Sequence, residues 1–346
     1  MRKPAAALSR IGFAMTIAWA AWLGGVGMAS AQTLKAVKER GAVVCGVSQG
    51  LQGFSSVDDK GEWSGLDVDL CRAIAAAIFN DPGKARFVPV SAAERFDALR
   101  SGKIDVLTRN STWTLSREAE FGLSFAAVNY YDGQGFLVHR MPEIASALEL
   151  GGAKVCVQTN TTTITNLSNY FRDNNLAFEV VGAASPADVL KDYEAGRCAV
   201  LTSDVSQLYA LRLQLAKPGD HVILPDIISK EPLGPAVRQD DPQWLRVVKW
   251  VHFAMLDAEE LGISSKTIDE ALRSTNPNVM AFVGSEGDYG ERNGLTRSWA
   301  ANIVRAVGNY GEAYERNVGS RSKFGIARGL NQLWSMGGIQ YAPSIR

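Results

Sequence analysis

Short apolar runs typical of β-strands alternate along this chain with longer segments whose apolar residues recur at helical spacing. The strand-like runs fall into two groups of three, at residues 42–47, 86–90, 103–108, 154–158, 178–181 and 198–202. Strands that are joined through helices lie parallel in one sheet, with helices on both faces. The pattern predicts an α/β protein with mainly parallel, doubly wound sheets, whose ligands bind beyond the carboxyl ends of the strands.

The first 31 residues have the composition of a secretory signal peptide. Three basic residues lie within the first ten positions, residues 11–26 form an apolar segment, and Ala29-Ser30-Ala31 is a typical cleavage site. A membrane anchor is the alternative, but alanine and glycine dilute the apolar segment and small residues end it. No cysteine lies at the cleavage point, so a lipid anchor is not expected. We expect cleavage near Ala31 and export to the periplasm.

Charge and length limit the classes of partner. Of 36 basic and 36 acidic residues, three basic ones lie in the signal peptide, so the mature chain carries 33 against 36. Scattered charges in near balance give no electrostatic case for binding nucleic acid. No later apolar run approaches the length of a membrane span, so no membrane insertion is expected after cleavage. The mature chain is long enough for two domains.

Four cysteines in an exported chain predict disulfides rather than a metal site. They allow three pairings. We prefer Cys45 with Cys71 and Cys156 with Cys198, because each pair then stays within one predicted lobe. The cysteine spacings match no zinc ribbon and the chain has three histidines, so we expect neither a metal nor a cofactor.

The stretch from Arg109 to Arg117 follows a predicted strand and combines hydroxyl groups with arginine. Its sequence is RNSTWTLSR. Thr114 is a candidate N-cap for a new helix, which places Arg117 in the first turn. A helix start beside a guanidinium can hold a carboxylate, with a further hydrogen bond from Thr112. The alternative is a surface ion pair between Arg117 and a nearby acid.

Other polar residues follow predicted strands at the same expected edge, among them Ser48 and Asn110. Residues 46–50 also match G-x-S-x-G, the nucleophile elbow of some hydrolases. An elbow needs a helix directly after the serine, whereas a Gly-rich loop follows here. We therefore expect Ser48 to line a pocket rather than to act as a nucleophile.

In the second group of elements, Thr161, Thr162 and Thr163 open a predicted helix, and Asp204 ends a predicted strand. Threonines at a helix start either cap the helix or offer hydroxyl groups to a ligand. Asp204 is either the cap of the following helix or an anion that faces the cleft.

Several short motifs are spread over essentially the whole mature chain. They are CGVS at 45–48, WSGLDVD at 63–69, RNSTWTLSR at 109–117, GRC at 196–198, ERNVG at 315–319 and YAP at 341–343. Together they resemble the type II periplasmic solute-binding proteins of amino-acid ABC transporters (family 3), and within them the general L-amino-acid-binding proteins. The resemblance implies a two-lobed α/β fold with two crossing strands as a hinge.

On this resemblance we expect lobe 1 to comprise residues 32–133 and 229–273. Lobe 2 would comprise residues 134–228, and residues 274–346 would form a C-terminal extension packed on lobe 1. The protein is expected to be a monomer.

The resemblance also assigns roles to individual residues. The expected ligand contacts are Arg117, Thr112, Asn110, Asp204, Thr161, Thr162, Ser48 and Gln158. An arginine at the position of Arg117 pairs with the ligand α-carboxylate in this family. The residue matching Thr112 and the amides matching Thr161 and Thr162 also contact that carboxylate. The carbonyl at Asn110 and the carboxylate at Asp204 would receive the α-ammonium.

Two departures from the family pattern concern specificity. Many relatives with narrow specificity hold the ligand between aromatic rings, but the matching positions here are Gly50 or Leu51 and Ala92. Gln158 stands where a cation is often found. Phe54 is a candidate for a partial apolar wall. A site that binds the amino-acid backbone without tight side-chain walls implies broad specificity.

The resemblance implies a receptor that captures L-amino acids by lobe closure and delivers them to an inner-membrane ABC permease, without breaking a bond. A first alternative is a periplasmic cyclohexadienyl or arogenate dehydratase on the same fold. Such an enzyme needs a general acid in the cleft, and the one acid expected there, Asp204, is taken by the ammonium. A second alternative is a sensory module, but no transmembrane or signalling segment follows the lobes.

Overall fold

The computed structural model describes residues 33–346. The predicted signal peptide and its cleavage site therefore lie outside the described residues. Within residues 33–346, no helix has both the length and the apolar composition that are needed to cross a bilayer.

The described residues form short strands and helices in alternation. The strands are β1 (Val43–Val47), β2 (Ser56–Val57), β3 (Trp63–Ser64), β4 (Ala85–Pro89), β5 (Val106–Leu107), β6 (Leu123–Phe125), β7 (Tyr130–Asp132), β8 (Gln134–His139), β9 (Ala153–Gln158), β10 (Phe178–Ala183), β11 (Val200–Asp204), β12 (His221–Ile223), β13 (Glu231–Leu233) and β14 (Ala236–Arg238). The helices are α1 (Thr33–Arg40), α2 (Leu66–Phe79), α3 (Arg95–Arg100), α4 (Leu115–Phe121), α5 (Thr163–Asp173), α6 (Pro186–Glu194), α7 (Val205–Arg212), α8 (Pro242–Glu260), α9 (Ile268–Ala271), α10 (Pro277–Val283), α11 (Tyr289–Arg292), α12 (Trp299–Val307) and α13 (Tyr310–Asn317).

The first sheet has the strand order β4-β1-β5-β14-β6. β1 pairs in parallel with β4 and β5, whereas β14 is antiparallel to β5 and β6. β1 is almost wholly buried, and the expected disulfide between Cys45 and Cys71 ties it to α2. We call this sheet and the helices packed on it lobe 1.

The second sheet repeats this plan, in the order β10-β9-β11-β8-β12. β9 is parallel to β10 and β11, and β8 is antiparallel to β11 and β12. The expected disulfide between Cys156 and Cys198 joins β9 to the residues before β11. We call this sheet and its helices lobe 2. Both predicted cysteine pairs are thus confirmed, one in each lobe.

Two antiparallel strands, β7 and β13, connect the lobes, with Asp132 opposite Glu231. β7 leads from lobe 1 to lobe 2, and β13 leads back. A Cβ on Gly234, just after β13, would lie 1.9 Å from the Ala127 carbonyl oxygen, so only glycine fits where the returning chain passes. The predicted two-lobed fold with a two-strand hinge is confirmed, although one of the five strands in each sheet, β14 in lobe 1 and β8 in lobe 2, runs antiparallel to the other four.

The C-terminal helices share one hydrophobic core with lobe 1. α12 and α13 pack on α2 and α8, and they bury Trp299, Tyr310 and Tyr314. Trp244 of α8 is fully buried and donates its indole N–H to the Asp105 carbonyl at 2.8 Å. The same core packs against β5, which leads into the loop at residues 108–114.

Candidate functional site

A narrow cavity of about 20 Å³ lies between the lobes, at the carboxyl ends of the parallel strands. Lobe 1 contributes Arg95, Arg109, Asn110, Thr112 and Arg117. Lobe 2 contributes Gln158, Thr161, Thr162, Thr163, Ser203, Asp204 and Gln207. The structure therefore brings together all the ligand contacts expected from the sequence except Ser48.

Arg117 is held at the cavity by the start of α4. The Thr114 hydroxyl accepts a hydrogen bond from the Arg117 N–H at 3.3 Å, as a helix cap does. The guanidinium Nη1 donates to the Thr112 carbonyl at 2.6 Å. Burial lowers the pKa of Arg117, and the negative charges of Glu231 and Asp204 oppose this shift. Because Arg117 is only 8% exposed, a surface ion pair does not describe it.

Asp67 of α2 holds the loop before α4 in place through hydrogen bonds. Asp67 accepts hydrogen bonds from the Asn110 N–H at 3.0 Å and from the Asn129 side-chain amide at 3.2 Å. Arg109 donates its Nε–H to the Val90 carbonyl at 3.2 Å. Burial raises the pKa of Asp67 to about 6, while these hydrogen bonds and the nearby charge of Arg109 oppose that rise. The backbone that carries Asn110 is therefore held in place by buried contacts.

Arg95 of α3 is a buried guanidinium that the sequence analysis did not single out. It is 2% exposed, and its Nη2 donates across the cavity to the Asn160 carbonyl at 3.3 Å. Within the described residues, its Nε and Nη1 groups have no hydrogen-bond acceptor. Burial lowers the pKa of Arg95, the charges of Arg109 and Arg117 lower it further, and Asp204 opposes them. Unused donors on a buried cation favour an anionic or carbonyl group as a ligand.

The helix α5 begins at the cavity, after a tight turn at the end of β9. Gln158 donates its Nε2 to the Ala184 carbonyl at 3.2 Å. The Thr161 hydroxyl donates to the Gln158 carbonyl at 2.8 Å and accepts from the Thr163 N–H at 3.3 Å, so it holds the turn that precedes the helix. The first N–H groups of a helix have no acceptor within it, and those of α5 lie at the cavity.

Asp204 ends β11 and immediately precedes α7. Its side chain makes no capping hydrogen bond to that helix, so the helix-cap alternative is wrong. Burial raises the pKa of Asp204 well above its usual range, and the charges of Asp132 and Glu231 raise it further. Arg117 and Arg95 oppose this rise. Asp204 is thus the acid of lobe 2 that lines the cavity, opposite the guanidinium groups of lobe 1.

Glu231 of β13 is a second residue that the sequence analysis missed. It is 2% exposed. Its Oε2 accepts hydrogen bonds from the hydroxyl groups of Thr112 in lobe 1 and Thr162 in lobe 2. Its Oε1 accepts from the Asn166 side-chain amide at 2.6 Å and the Ser229 hydroxyl at 2.7 Å. Nothing in a short strand of sequence Glu-Pro-Leu indicates that its glutamate contacts both lobes.

Two residues expected near the ligand lie elsewhere. Ser48 is not in the cavity wall, and its N–H donates to the Ser55 hydroxyl at 2.9 Å. Phe54 is 1% exposed and packs edge to face on Tyr130 in the core of lobe 1, so the expected apolar wall is wrong. The cause is a tight turn, in which Leu51 and Ser55 exchange two backbone hydrogen bonds of 2.8 Å and fold the Gly-rich loop back onto the core.

A sequence profile of the bacterial extracellular solute-binding proteins, family 3, matches residues 43–267. The chain belongs to this family. The family expected from the sequence motifs is thereby confirmed.

Similarity to individual family members extends beyond the region of the profile. The chain is 53% identical over 324 residues to the general L-amino acid-binding periplasmic protein AapJ of Rhizobium johnstonii, with 93% of this chain and 95% of that protein covered. It is 48% identical over 321 residues to the glutamate/glutamine/aspartate/asparagine-binding protein BztA of Rhodobacter capsulatus, with coverage of 92% and 95%. A solved structure of an ABC transporter periplasmic binding protein from Brucella ovis, with glutathione bound, has a TM-score of 0.89 and 51% identity, covering 91% of this chain and 99% of that one. The C-terminal extension is therefore shared with these relatives.

Proposed function

We propose that this protein is the substrate-binding component of an amino-acid ABC transporter. It captures L-amino acids between its lobes in the periplasm and delivers them to an inner-membrane permease. The proposal rests on one observation, the presence of Arg117 and Asp204 on opposite lobes of a single cavity. An amino acid is a zwitterion, and each of its charges needs a partner of opposite sign when it is taken from water. The names of the relatives support this class of ligand.

The α-carboxylate is expected to bind on the side of Arg117. The guanidinium group gives two parallel N–H donors, and the start of α5 at Thr161 and Thr162 adds backbone N–H groups from the other lobe. Because these donors come from both lobes, a carboxylate between them favours closure. The two lobes would then close around the α-carboxylate and α-ammonium groups, which all amino acids share.

The α-ammonium is expected to bind Asp204 and the carbonyl of Asn110. Burial raises the pKa of Asp204 above its usual range, so ionisation of this carboxyl is unfavourable in the empty site. A bound ammonium offsets that cost and favours the ionised carboxylate. Ligands without an ammonium group lose this contribution.

The ligand side chain is expected to lie toward Arg95. The unused Nε and Nη1 donors of this residue suit a carboxylate or carboxamide oxygen. A cavity wall that also holds Gln158 and Gln207 is polar without being specific for one shape. We therefore propose broad specificity that includes acidic and amide side chains, in keeping with the ligands named for the Rhodobacter capsulatus relative.

We also propose that the protein acts as a monomer and breaks no bond. Both walls of the cavity come from one chain, so no second copy is needed to complete the site. The acid that lines the cavity is assigned to the ligand ammonium, which leaves it unsuited to general-acid work. Incubation with prephenate or arogenate should leave both compounds unchanged, and an aromatic product would contradict this part of the proposal.

A thermal-shift screen tests the proposal directly. A ligand that binds the folded protein raises its melting temperature by mass action. We expect stabilisation by many of the twenty L-amino acids and by glutathione, whose glutamyl end carries the same two charged groups. The matching 2-oxo acids, which lack the ammonium, serve as controls and should give little shift. A chain that no amino acid stabilises, with calorimetry in agreement, would overturn the proposal.

A further inference from the structure

Glu231 sits at the hinge and contacts both lobes through side chains alone. All four of its partners are donors in the observed arrangement, namely the hydroxyl groups of Thr112, Thr162 and Ser229 and the amide of Asn166. An ionised carboxylate has about four lone-pair sites and no proton, so it can accept all four hydrogen bonds at once. A glutamine side chain could accept hydrogen bonds only at its amide oxygen, because its amide nitrogen is a donor.

The four hydrogen bonds divide between the two lobes. The backbone fixes β13 to lobe 1, because Trp113 donates to the Pro232 carbonyl at 2.8 Å and Gly234 donates to the Ser111 carbonyl at 3.1 Å. Thr162 and Asn166, in contrast, belong to the start of α5 in lobe 2. The hydrogen bonds from these two residues to Glu231 therefore span the gap between the lobes.

We propose that Glu231 is a positioning residue that holds the start of α5 against lobe 1 and thereby stabilises the closed, ligand-binding arrangement. It lies beneath the cavity without lining it, so it acts through Thr112 and Thr162 rather than on the ligand. The proposal rests on the proposed function for its main readout, which is amino-acid affinity.

The same contacts determine which groups the two threonines present to a ligand. A hydroxyl group has a single proton, and both Thr112 and Thr162 donate theirs to Glu231. In this state their oxygens can only accept hydrogen bonds from the cavity. A ligand carboxylate is then bound by Arg117 and by backbone N–H groups, not by these hydroxyl groups.

Replacing Glu231 with glutamine keeps the shape and removes two acceptor sites. Hydrogen bonds to a charged group are among the stronger ones, and their loss in the closed state weakens binding about tenfold or more. Because Glu231 does not touch the ligand, the loss should be the same for L-glutamate, L-glutamine and L-alanine. The dissociation rate should rise by a similar factor, since closure retains the ligand.

A double-mutant cycle isolates the contact between the lobes. We would measure affinity by calorimetry for the parent, Glu231→Gln, Asn166→Ala and the double variant, with Glu118→Gln as a matched control. Glu118 accepts a hydrogen bond from the Phe125 N–H within lobe 1 alone, at 3.1 Å. We expect both single variants to bind more weakly, the double variant to be no weaker than the worse single variant, and the control to match the parent.

Two further measurements, the unfolding midpoint and the radius of gyration of the ligand-free protein, separate this proposal from its alternatives. A role in folding alone would lower the unfolding midpoint of the ligand-free protein and give additive effects in the cycle, and that result would overturn the proposal. If the parent binds no amino acid, the proposed function fails. In that case, the radius of gyration of the ligand-free protein, measured by small-angle X-ray scattering, tests whether Glu231 stabilises the closed arrangement of the lobes. It should be larger in Glu231→Gln and Asn166→Ala than in the parent and in Glu118→Gln, and equal radii would refute the inference.

Discussion

The side-chain amide of Asn331 exchanges two hydrogen bonds with the backbone of Tyr131. It accepts from the Tyr131 N–H at 2.7 Å and donates to the Tyr131 carbonyl at 3.0 Å. Tyr131 is the middle residue of β7, opposite Pro232, which has no N–H to offer. Arg328 in turn donates to the Asn331 carbonyl at 2.9 Å. Asn331, in the C-terminal extension, thus pairs with the backbone of β7 as a neighbouring strand would, and it holds this hinge strand against lobe 1.

Asn331→Ala should destabilise the protein. The Tyr131 N–H and carbonyl would lose their partners, and an unsatisfied backbone group costs about 1–3 kcal/mol. Urea unfolding monitored by circular dichroism measures the change. The control is Asn174→Ala, because Asn174 makes an exposed hydrogen bond to the Tyr170 carbonyl at 2.8 Å. Equal unfolding midpoints for the two variants would contradict a role for Asn331 at the hinge.

Arg117→Ala should weaken every amino-acid ligand alike. The variant leaves a desolvated carboxylate without its cation, which costs about 3–5 kcal/mol, or more than a hundredfold in affinity. Isothermal titration calorimetry with several ligands checks both the size and the uniformity of the loss. Arg100→Ala is the matched control, because Arg100 forms an exposed ion pair with Asp97 in the same lobe and should bind as the parent does. Parent-like affinity in Arg117→Ala would remove Arg117 from the carboxylate site.

Arg95→Met should change selectivity rather than overall affinity. Methionine keeps much of the buried volume but removes the unused donors, so L-glutamate and L-glutamine should each lose about tenfold or more. L-leucine has no hydrogen-bond acceptor in its side chain, so it should bind with nearly unchanged affinity. Competition against one fluorescent ligand gives the ratio directly. Equal losses for L-glutamate and L-leucine would show that Arg95 does not face the ligand side chain.

Asp204→Asn should discriminate between amino acids and their deaminated analogues. In the variant, the ammonium group of an amino acid loses its charged partner, and affinity falls. A carboxylic acid of the same skeleton has no ammonium group, so its affinity should change little. Calorimetry with L-glutamate and glutarate, on the parent and on the variant, supplies the comparison. A similar loss for both compounds would remove Asp204 from the ammonium site.

Local sequence patterns predicted much of this fold. Alternating strand and helix signals determine the two α/β units, because each segment buries one face against the next. The pairing of Cys45 with Cys71 followed from keeping each disulfide within one lobe. The stretch that ends at Arg117 was recognisable because a helix cap and a cation stand together after a strand.

Residues that act across the lobes were not predictable in this way. Arg95 lies in a segment whose local pattern predicts a helix and nothing more, and its contact with the Asn160 carbonyl of lobe 2 joins residues 65 positions apart. Three of the four partners of Glu231 lie more than sixty residues before it in the chain, and no local sequence pattern indicates contacts over that distance. Phe54 was misplaced because the turn between Leu51 and Ser55 directs its side chain into the core.

Amino-acid affinity should fall as the pH falls through the titration of Asp204. Burial raises the pKa of this carboxyl in the empty site, and the bound ammonium favours the ionised form. The free protein therefore holds more protons than the complex, so binding releases a proton and strengthens as the pH rises. For L-alanine, calorimetry from pH 5 to pH 7 should show weaker binding at the acid end, well above the ordinary carboxyl pKa of about 4. Asp204→Asn should bind weakly with little pH dependence, and a pH slope in this variant equal to that of the parent would assign the titration to another group.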